Sequence, residues 1–472
     1  MCVVPASKRK EELMTTFTSS IAALVAFLIV FVILVSIPNV QFSDASTTCV
    51  TYQSGVNTII IGCDASFSDV VQAINDPQIL EQEDVGVYLL NANLQVADGV
   101  NFEMTSNGDG LQYLKLAGEN GIIVYGKILI DGVKITSWDI SEDDVIPQDM
   151  NGTIRRGYVQ FAASEGAQIL NSEFGYLGDV EPGRRGFDLF GGGGPSHDMV
   201  IRGSKFHDMW MAFYSNGAYN IVIDDNEYFN NIKYALDPHT GTYNMNITNN
   251  WVHHNIDAII CSDDCYNILI EGNLAQDNSR SGIFLSRNMT DSVVRNNHVI
   301  NARTAILISE SPNNQIYNNT IEGATDEAIL LLTPDVPDDG VTEGNMIYDN
   351  VISDSGNGIR AARSHDNIIE NTTFSNITAS EYVVAGTSSL MIRGQDFDDV
   401  LISGGGPATQ NQIQIVDSGM IEVEREADNG GDEEDGGDDD DDDDEDEEVA
   451  YNTDIEPFTA TLSDGDTITI NS

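Results

Sequence analysis

One phrase recurs through the middle of the chain: a short apolar strand ends in a small polar residue, often Asn, and another short strand follows. It reads NIVIDDN ending at Asn226, NMNITNN at Asn250, NILIEGN at Asn273 and DSVVRNN at Asn297, then NNQIYNN at Asn319, GNMIYDN at Asn350 and HDNIIEN at Asn371. The steps between these asparagines are 24, 23, 24, 22, 31 and 21 residues, a period that implies stacked repeats. The long step holds TPDVPDDG, residues 333–340, as a loop inserted into one coil. Helical and leucine-rich repeats need a period of 3.6 or a fixed leucine framework, and neither is present. The pattern predicts an all-β fold, a parallel β-helix with one coil per phrase and about 4.8 Å between stacked strands.

Asn suits this position because its amide can sit inside a turn and pair with the Asn above and below it, as in other stacked β structures. The repeated asparagines are therefore assigned to the fold rather than to chemistry. Placed inside, Asn371 cannot carry a glycan although it heads an N-x-T sequon. Asn151, Asn246, Asn288, Asn318 and Asn376 also head N-x-T patterns and are the better glycosylation candidates if exposed.

The flanks divide the rest. Residues 1–16 form a cytoplasmic N-terminus, and Phe17–Pro38 is an uncharged apolar run of 22 residues behind Lys8, Arg9 and Lys10. That length spans a bilayer and the charges stay inside, so a single-pass transmembrane anchor with the bulk of the chain extracellular is expected. A cleaved signal peptide is the alternative. A linker (39–57) and an N-terminal β-rich cap (58–135) follow, the cap holding a short helix, Ser66–Ile74, that Ser66 can cap. The β-helix is expected over 136–378 and a C-terminal β cap over 379–427. Beyond them come an acidic low-complexity segment (428–449), expected to be disordered, and a short β-rich tail (450–472).

The chain has 76 acidic residues against 21 basic ones, a net charge of −55. Nucleic acid is excluded as a partner, because phosphate contacts need clustered Lys and Arg. Such a surface repels itself unless salt screens it, which fits a salt-loving source. Outside the cell, Cys49 with Cys63 and Cys261 with Cys265 can form local disulfides. CSDDC with His253 and His254 nearby also admits a metal reading, but two thiols four apart in a secreted chain are more often paired. No metal or cofactor is expected, and the chain is expected to act as a monomer.

Alignment on the asparagines stacks His239 over Ser262, Ser286 and Ser309. It places Asp237 beside Tyr214 and Ile260, and Thr240 in line with Asp263, Arg287 and Glu310. One face thus carries a polar column, either a groove for an extended polysaccharide or a solvated salt-bridge ladder. Asp237-Pro238-His239 favours a site. Pro fixes the turn, and Asp237 can accept from the imidazole and raise its basicity, as a general base near neutral pH requires.

In these segments the chain resembles the periplasmic mannuronan C-5-epimerases, which are right-handed parallel β-helices. The likeness runs from about Ile135 to Asn371. It includes KITSWD, GAQILNSEFGYLG and FHDMWMAFYS, peaks at NEYFNNIKYALDPH, and continues through SGIFLSRN and AILISES. In that family a DPHD motif supplies the His that removes the C-5 proton of a uronate. The resemblance implies His239 as base, Asp237 as its partner, and Tyr214, Thr240, Asp263 and Arg287 as substrate-binding positions, with an acidic polysaccharide as the partner molecule. Expulsion of the O-4 substituent would make a lyase instead, and a non-catalytic carbohydrate-binding surface protein is a third reading. Thr240 stands where the motif has Asp. Asp263 stands where the family has the arginine that neutralises the substrate carboxylate, while Arg287 matches another family arginine. Arg155, Arg156, Arg184 and Arg185 are the remaining basic pairs that either reach the groove or balance surface charge.

Overall fold

The computed structural model describes residues 49–190, 194–335, 337, 340–386, 388–395 and 397–403, and the strands at 412–416, 422–425, 458–461 and 467–470. The expected anchor and acidic segment lie outside the described residues. Among the described residues no helix is long and apolar enough to cross a membrane.

The strands wind into three long sheets of 16, 16 and 14 strands, with successive coils pairing in parallel through most of their length. Inward-facing β-branched residues build the core. Ile223, Ile247, Ile270, Val294, Ile316, Ile347 and Ile369 stack in one register, and each is fully buried. Every such side chain withdrawn from water contributes about 2 kcal/mol, and a branched Cβ packs well on a pleated surface.

The asparagine ladder forms as the period predicts. Asn226, Asn250, Asn273, Asn297, Asn319 and Asn350 pass side-chain hydrogen bonds from coil to coil at 2.9–3.0 Å. Each also donates to a backbone carbonyl of the coil before, as Asn273 does to Ile247 at 2.9 Å. A second ladder, Asn231–Asn255–Asn278, runs beside it.

Asn371 is a correction. It is exposed, with φ 50°, in the left-handed slot held by Asp225, Asn249, Gly272, Asn296, Asn318 and Asp349 in earlier coils. Thr372 takes the inward slot and donates its backbone N–H to Gln395 Oε1 at 2.7 Å. Asn serves both slots, because its short side chain both caps turns and tolerates the left-handed region. Exposed there, Asn371 is as open to glycosylation as the other sequon asparagines are if exposed.

The solenoid is also longer than the expected 136–378. Parallel pairing begins with Thr58–Ile61 on Asn93–Val96 and passes through Gly121–Val124 to Tyr158–Phe161. It continues beyond 378 through Tyr382–Ala385 and Asp399–Ser403. The residues taken as caps are mostly coils whose turns lack the asparagine. The helix Phe67–Ile74 is present, and Ser66 and Asp69 form the capping box that starts it.

Candidate functional site in the front groove

The strand Tyr234–His239 lies in the sheet that also holds Gly186–Leu189, Met211–Asn216, Asp257–Cys261, Ser281–Leu285 and Thr304–Ser309. Leu236, Ile259, Ile283 and Ile306 point into the core. The alternate residues form the outer face, so Asp188, Tyr214 and Asp237 stand side by side on successive coils. Ile260, Phe284 and Leu307 continue that row in a separate apolar cluster. The floor is thus polar up to His239 and apolar after it.

One rim is a column of left-handed turns: Thr240, Asp263, Arg287 and Glu310 have φ of 41°, 60°, 49° and 51°. His239 pairs with Ser262 of the next coil, so the stacking read from the sequence holds here.

His239 is held from one side. Its Nδ1 lies 2.6 Å from Thr240 Oγ1 and 3.4 Å from Asp263 Oδ2. A proton on Nδ1 satisfies both oxygens and leaves Nε2 as the basic nitrogen. Burial pushes the imidazole below the usual histidine range. Asp263 opposes that shift, and Arg185 and Arg287 add to it. The ring is neutral at neutral pH, the state a proton acceptor needs.

Asp237 is not its partner, contrary to the expectation from the motif. The Asp237 side chain is buried, and its Oδ1 has no hydrogen-bond partner. Burial raises its pKa well above the usual carboxylate range, with Arg185 opposing, which favours its protonated form. Thr240 and Asp263, the two positions where the motif departs from the family, supply the contacts assigned to Asp237.

Three more buried polar atoms on the same and neighbouring coils lack a hydrogen-bond partner, Asp188 Oδ1, Arg185 Nη1 and Ser262 Oγ, the arginine atom having only an ion pair at 3.5 Å with Asp188 Oδ2. Native interiors leave few such groups, and a cluster of them marks a place where a ligand's polar atoms belong. The Arg185 guanidinium lies 3.9 Å from the centre of the Tyr214 ring and 3.5 Å from Asp188 Oδ2. The His239 ring stands 5.4 Å from the same tyrosine. Burial pushes Asp188 up to about 7, against the pull of Arg185, and Tyr214 up to about 12.

Of the other basic candidates, Arg156 is buried and donates to the carbonyls of Gly178, Asp208 and Leu177, a structural role. Arg155 pairs with Asp179 and Glu181, and Arg184 with Asp179 and Glu119. Arg287 stands 3.7 Å from Asp263. Asp188 was not legible from the repeat, because its strand precedes the first asparagine phrase and shifts register against the next coil.

The cysteines divide. Cys49 and Cys63 are disulfide-bonded as expected. Cys261 and Cys265 are free and buried, which corrects the predicted second bridge. Cys261 packs in the core, and the Cys265 thiol donates to the carbonyl of Ser262 at 3.1 Å.

Away from the groove, ligand atoms of Glu165, His197 and Asp198 lie within 4.8 Å of one another. His197 Nδ1 is already engaged by Asp198 at 2.8 Å, and its ring stacks on Tyr219. We read the trio as part of the acidic surface.

Residues 186–335 match the family model described as the right handed beta helix region. The mannuronan C5-epimerase of Pseudomonas syringae pv. tomato is 25% identical over 287 residues, 58% of this chain and 53% of its own. That of Azotobacter vinelandii is 29% identical over 273 residues, 50% of this chain and 51% of its own. The chain thus spans about half the length of the relatives it matches. The crystal structure of the periplasmic alginate epimerase AlgG superposes with a TM-score of 0.62 at 21% identity, covering 78% of this chain and 85% of that one. The chain is a right-handed parallel β-helix that resembles the mannuronan C5-epimerases.

Proposed function

We propose that this protein epimerises a polyuronate at C-5, with His239 as the base. The observation that carries the reading is a neutral His239 held at Nδ1 by Thr240 and Asp263, next to buried polar atoms of Asp237 and Ser262 that lack partners. Nε2 removes the proton from C-5. The electron pair moves toward the neighbouring carboxylate, which becomes a dianion unless charge and donors meet it. Return of a proton to the opposite face inverts the centre.

The same reading places the chain outside the cell on an N-terminal anchor. The run Phe17–Pro38 behind Lys8, Arg9 and Lys10 supports it, as does the Cys49–Cys63 disulfide, a bond of oxidising compartments. At −55, the chain needs high salt to approach a polyanion.

Purified protein incubated with polymannuronate at high salt should generate guluronate signals by proton NMR without unsaturated ends absorbing in the ultraviolet. Unsaturated ends would establish a lyase. The acid at Asp263, where the family carries an arginine, favours one further reading, a non-catalytic polysaccharide-binding module. Wild-type protein that binds the saccharide with no turnover of either kind, and binds it equally well as His239→Ala, would establish that module and defeat the epimerase.

A further inference from the structure

We propose that Arg185 is the residue that receives the substrate carboxylate, across Tyr214 from His239. The inference rests on the uronate reading of the same groove and identifies which pole of it binds the charge.

Relocation is required by what occupies the family position. Asp263 is an anion committed to His239 on one oxygen and faces Arg287 with the other. A uronate cannot be neutralised there. Arg287 belongs to the rim column of left-handed turns, with Asp263 before it and Glu310 after it. Arg185 belongs instead to the polar floor. Its guanidinium lies 3.9 Å from the Tyr214 ring, and His239 lies 5.4 Å from that ring. Tyr214 belongs to the coil before His239 and pairs directly with Asp237, and Arg185 comes one coil earlier still. A sugar residue set across the Tyr214 coil has Arg185 on the coil before it and His239 on the coil after it.

Two features prepare Arg185 for this task. The cation sits over an aromatic face, a contact that strengthens as water is excluded, and its side chain is only 17% exposed. Asp188 Oδ2, 3.5 Å from Arg185 Nη1, fixes the fork, and burial raises that carboxyl to about 7, which weakens its hold on the cation. Arg185 Nη1, Asp188 Oδ1 and Asp237 Oδ1 are all buried atoms with no hydrogen-bond partner. A substrate carboxylate accepts from Arg185, and from Asp237 in the protonated form that burial favours. The developing dianion then strengthens both bonds, which is the differential binding that catalysis needs. The carboxylate pole therefore lies on the N-terminal side of His239, whereas the family arginine position lies on the C-terminal side.

The test compares Arg185→Gln, Arg185→Lys and Arg287→Gln in the full chain, with circular dichroism confirming the fold. Two measurements are made at fixed high salt. The first is equilibrium binding of an oligomannuronate and of a neutral oligomannoside. The second is C-5 turnover across pH. Arg185→Gln should weaken oligomannuronate binding by about tenfold while leaving the neutral ligand unchanged, and should lower kcat by about a hundredfold. Losing that cation should also move the acid limb of the profile to higher pH, since Arg185 holds the His239 pKa down. Arg185→Lys should restore part of the loss, and Arg287→Gln should weaken oligomannuronate binding less than Arg185→Gln does. Uronate binding that is indifferent to Arg185, or that collapses with Arg287→Gln instead, overturns the assignment. If the wild type binds uronate through Arg185 but never turns it over, the epimerase reading fails and this one stands.

Discussion

The same coils carry two buried polar arrays that differ in one respect. The asparagine ladder is closed, each amide bonded at 2.9–3.0 Å to the next coil and to a backbone carbonyl. In the groove, Asp188, Asp237, Ser262 and Arg185 each keep a buried polar atom without a hydrogen-bond partner. A satisfied array holds a fold together, whereas an unsatisfied one costs stability and persists where a ligand completes it. Between these two arrays the difference is satisfaction, not burial or polarity.

Five substitutions can break or sharpen that contrast. The largest effect should come from His239→Ala, which removes the base and should cut C-5 turnover by about a thousandfold or more while the thermal midpoint barely moves. A stability loss as large as that of a ladder residue would mean that His239 is structural.

Next is the pair Asn273→Ala and Asp237→Asn, compared by denaturant unfolding. Removing Asn273 strands the Asn250 backbone N–H and the Ile247 carbonyl, at a cost on the order of 3 kcal/mol. Asp237→Asn mimics the neutral acid and should cost less than about 1 kcal/mol, yet still impair turnover. Equal losses would erase the distinction between the arrays.

Asp188→Asn should act through pH. With its pKa raised to about 7, folded Asp188 keeps a proton that the unfolded chain releases near pH 4. Its contribution to stability therefore falls as pH rises from about 4 to 7. Asn carries no such penalty. The variant should gain on the wild type above pH 7, by at most about 4 kcal/mol, and the gain should vanish below pH 4. A gain independent of pH would show that the carboxyl is not protonated in the fold.

The smallest effect belongs to Asp263→Asn. Asp263 raises the His239 pKa against burial, so its loss should shift the acid limb of the activity profile to lower pH by less than about one unit. An upward shift would contradict the contact with Nδ1.

The fold was legible because the ladder asparagines are under a spacing constraint that survives in the sequence. Reading stopped where that constraint stops. Coils before residue 136 and after 378 close their turns without the asparagine, and at Asn371 two adjacent slots accept the same side chain. The rim column and His239 were legible because their register follows from the ladder. The assignment of contacts was not. Asp237 and His239 are two apart on one strand, which places them on one face but does not decide whether the imidazole meets that carboxyl. Thr240 and Asp263 reach it instead because both sit in left-handed turns at the strand end. Arg185 was visible only as one of four basic residues, since its proximity to Tyr214 arises from a register shift that no periodicity reports.

The most direct measurement is deuterium at C-5. Polymannuronate treated with the protein in heavy water at high salt should acquire deuterium at C-5 of inverted residues, with incorporation abolished by His239→Ala. Intact folded protein that leaves C-5 free of deuterium, or a His239→Ala variant that exchanges as the wild type does, would contradict the account.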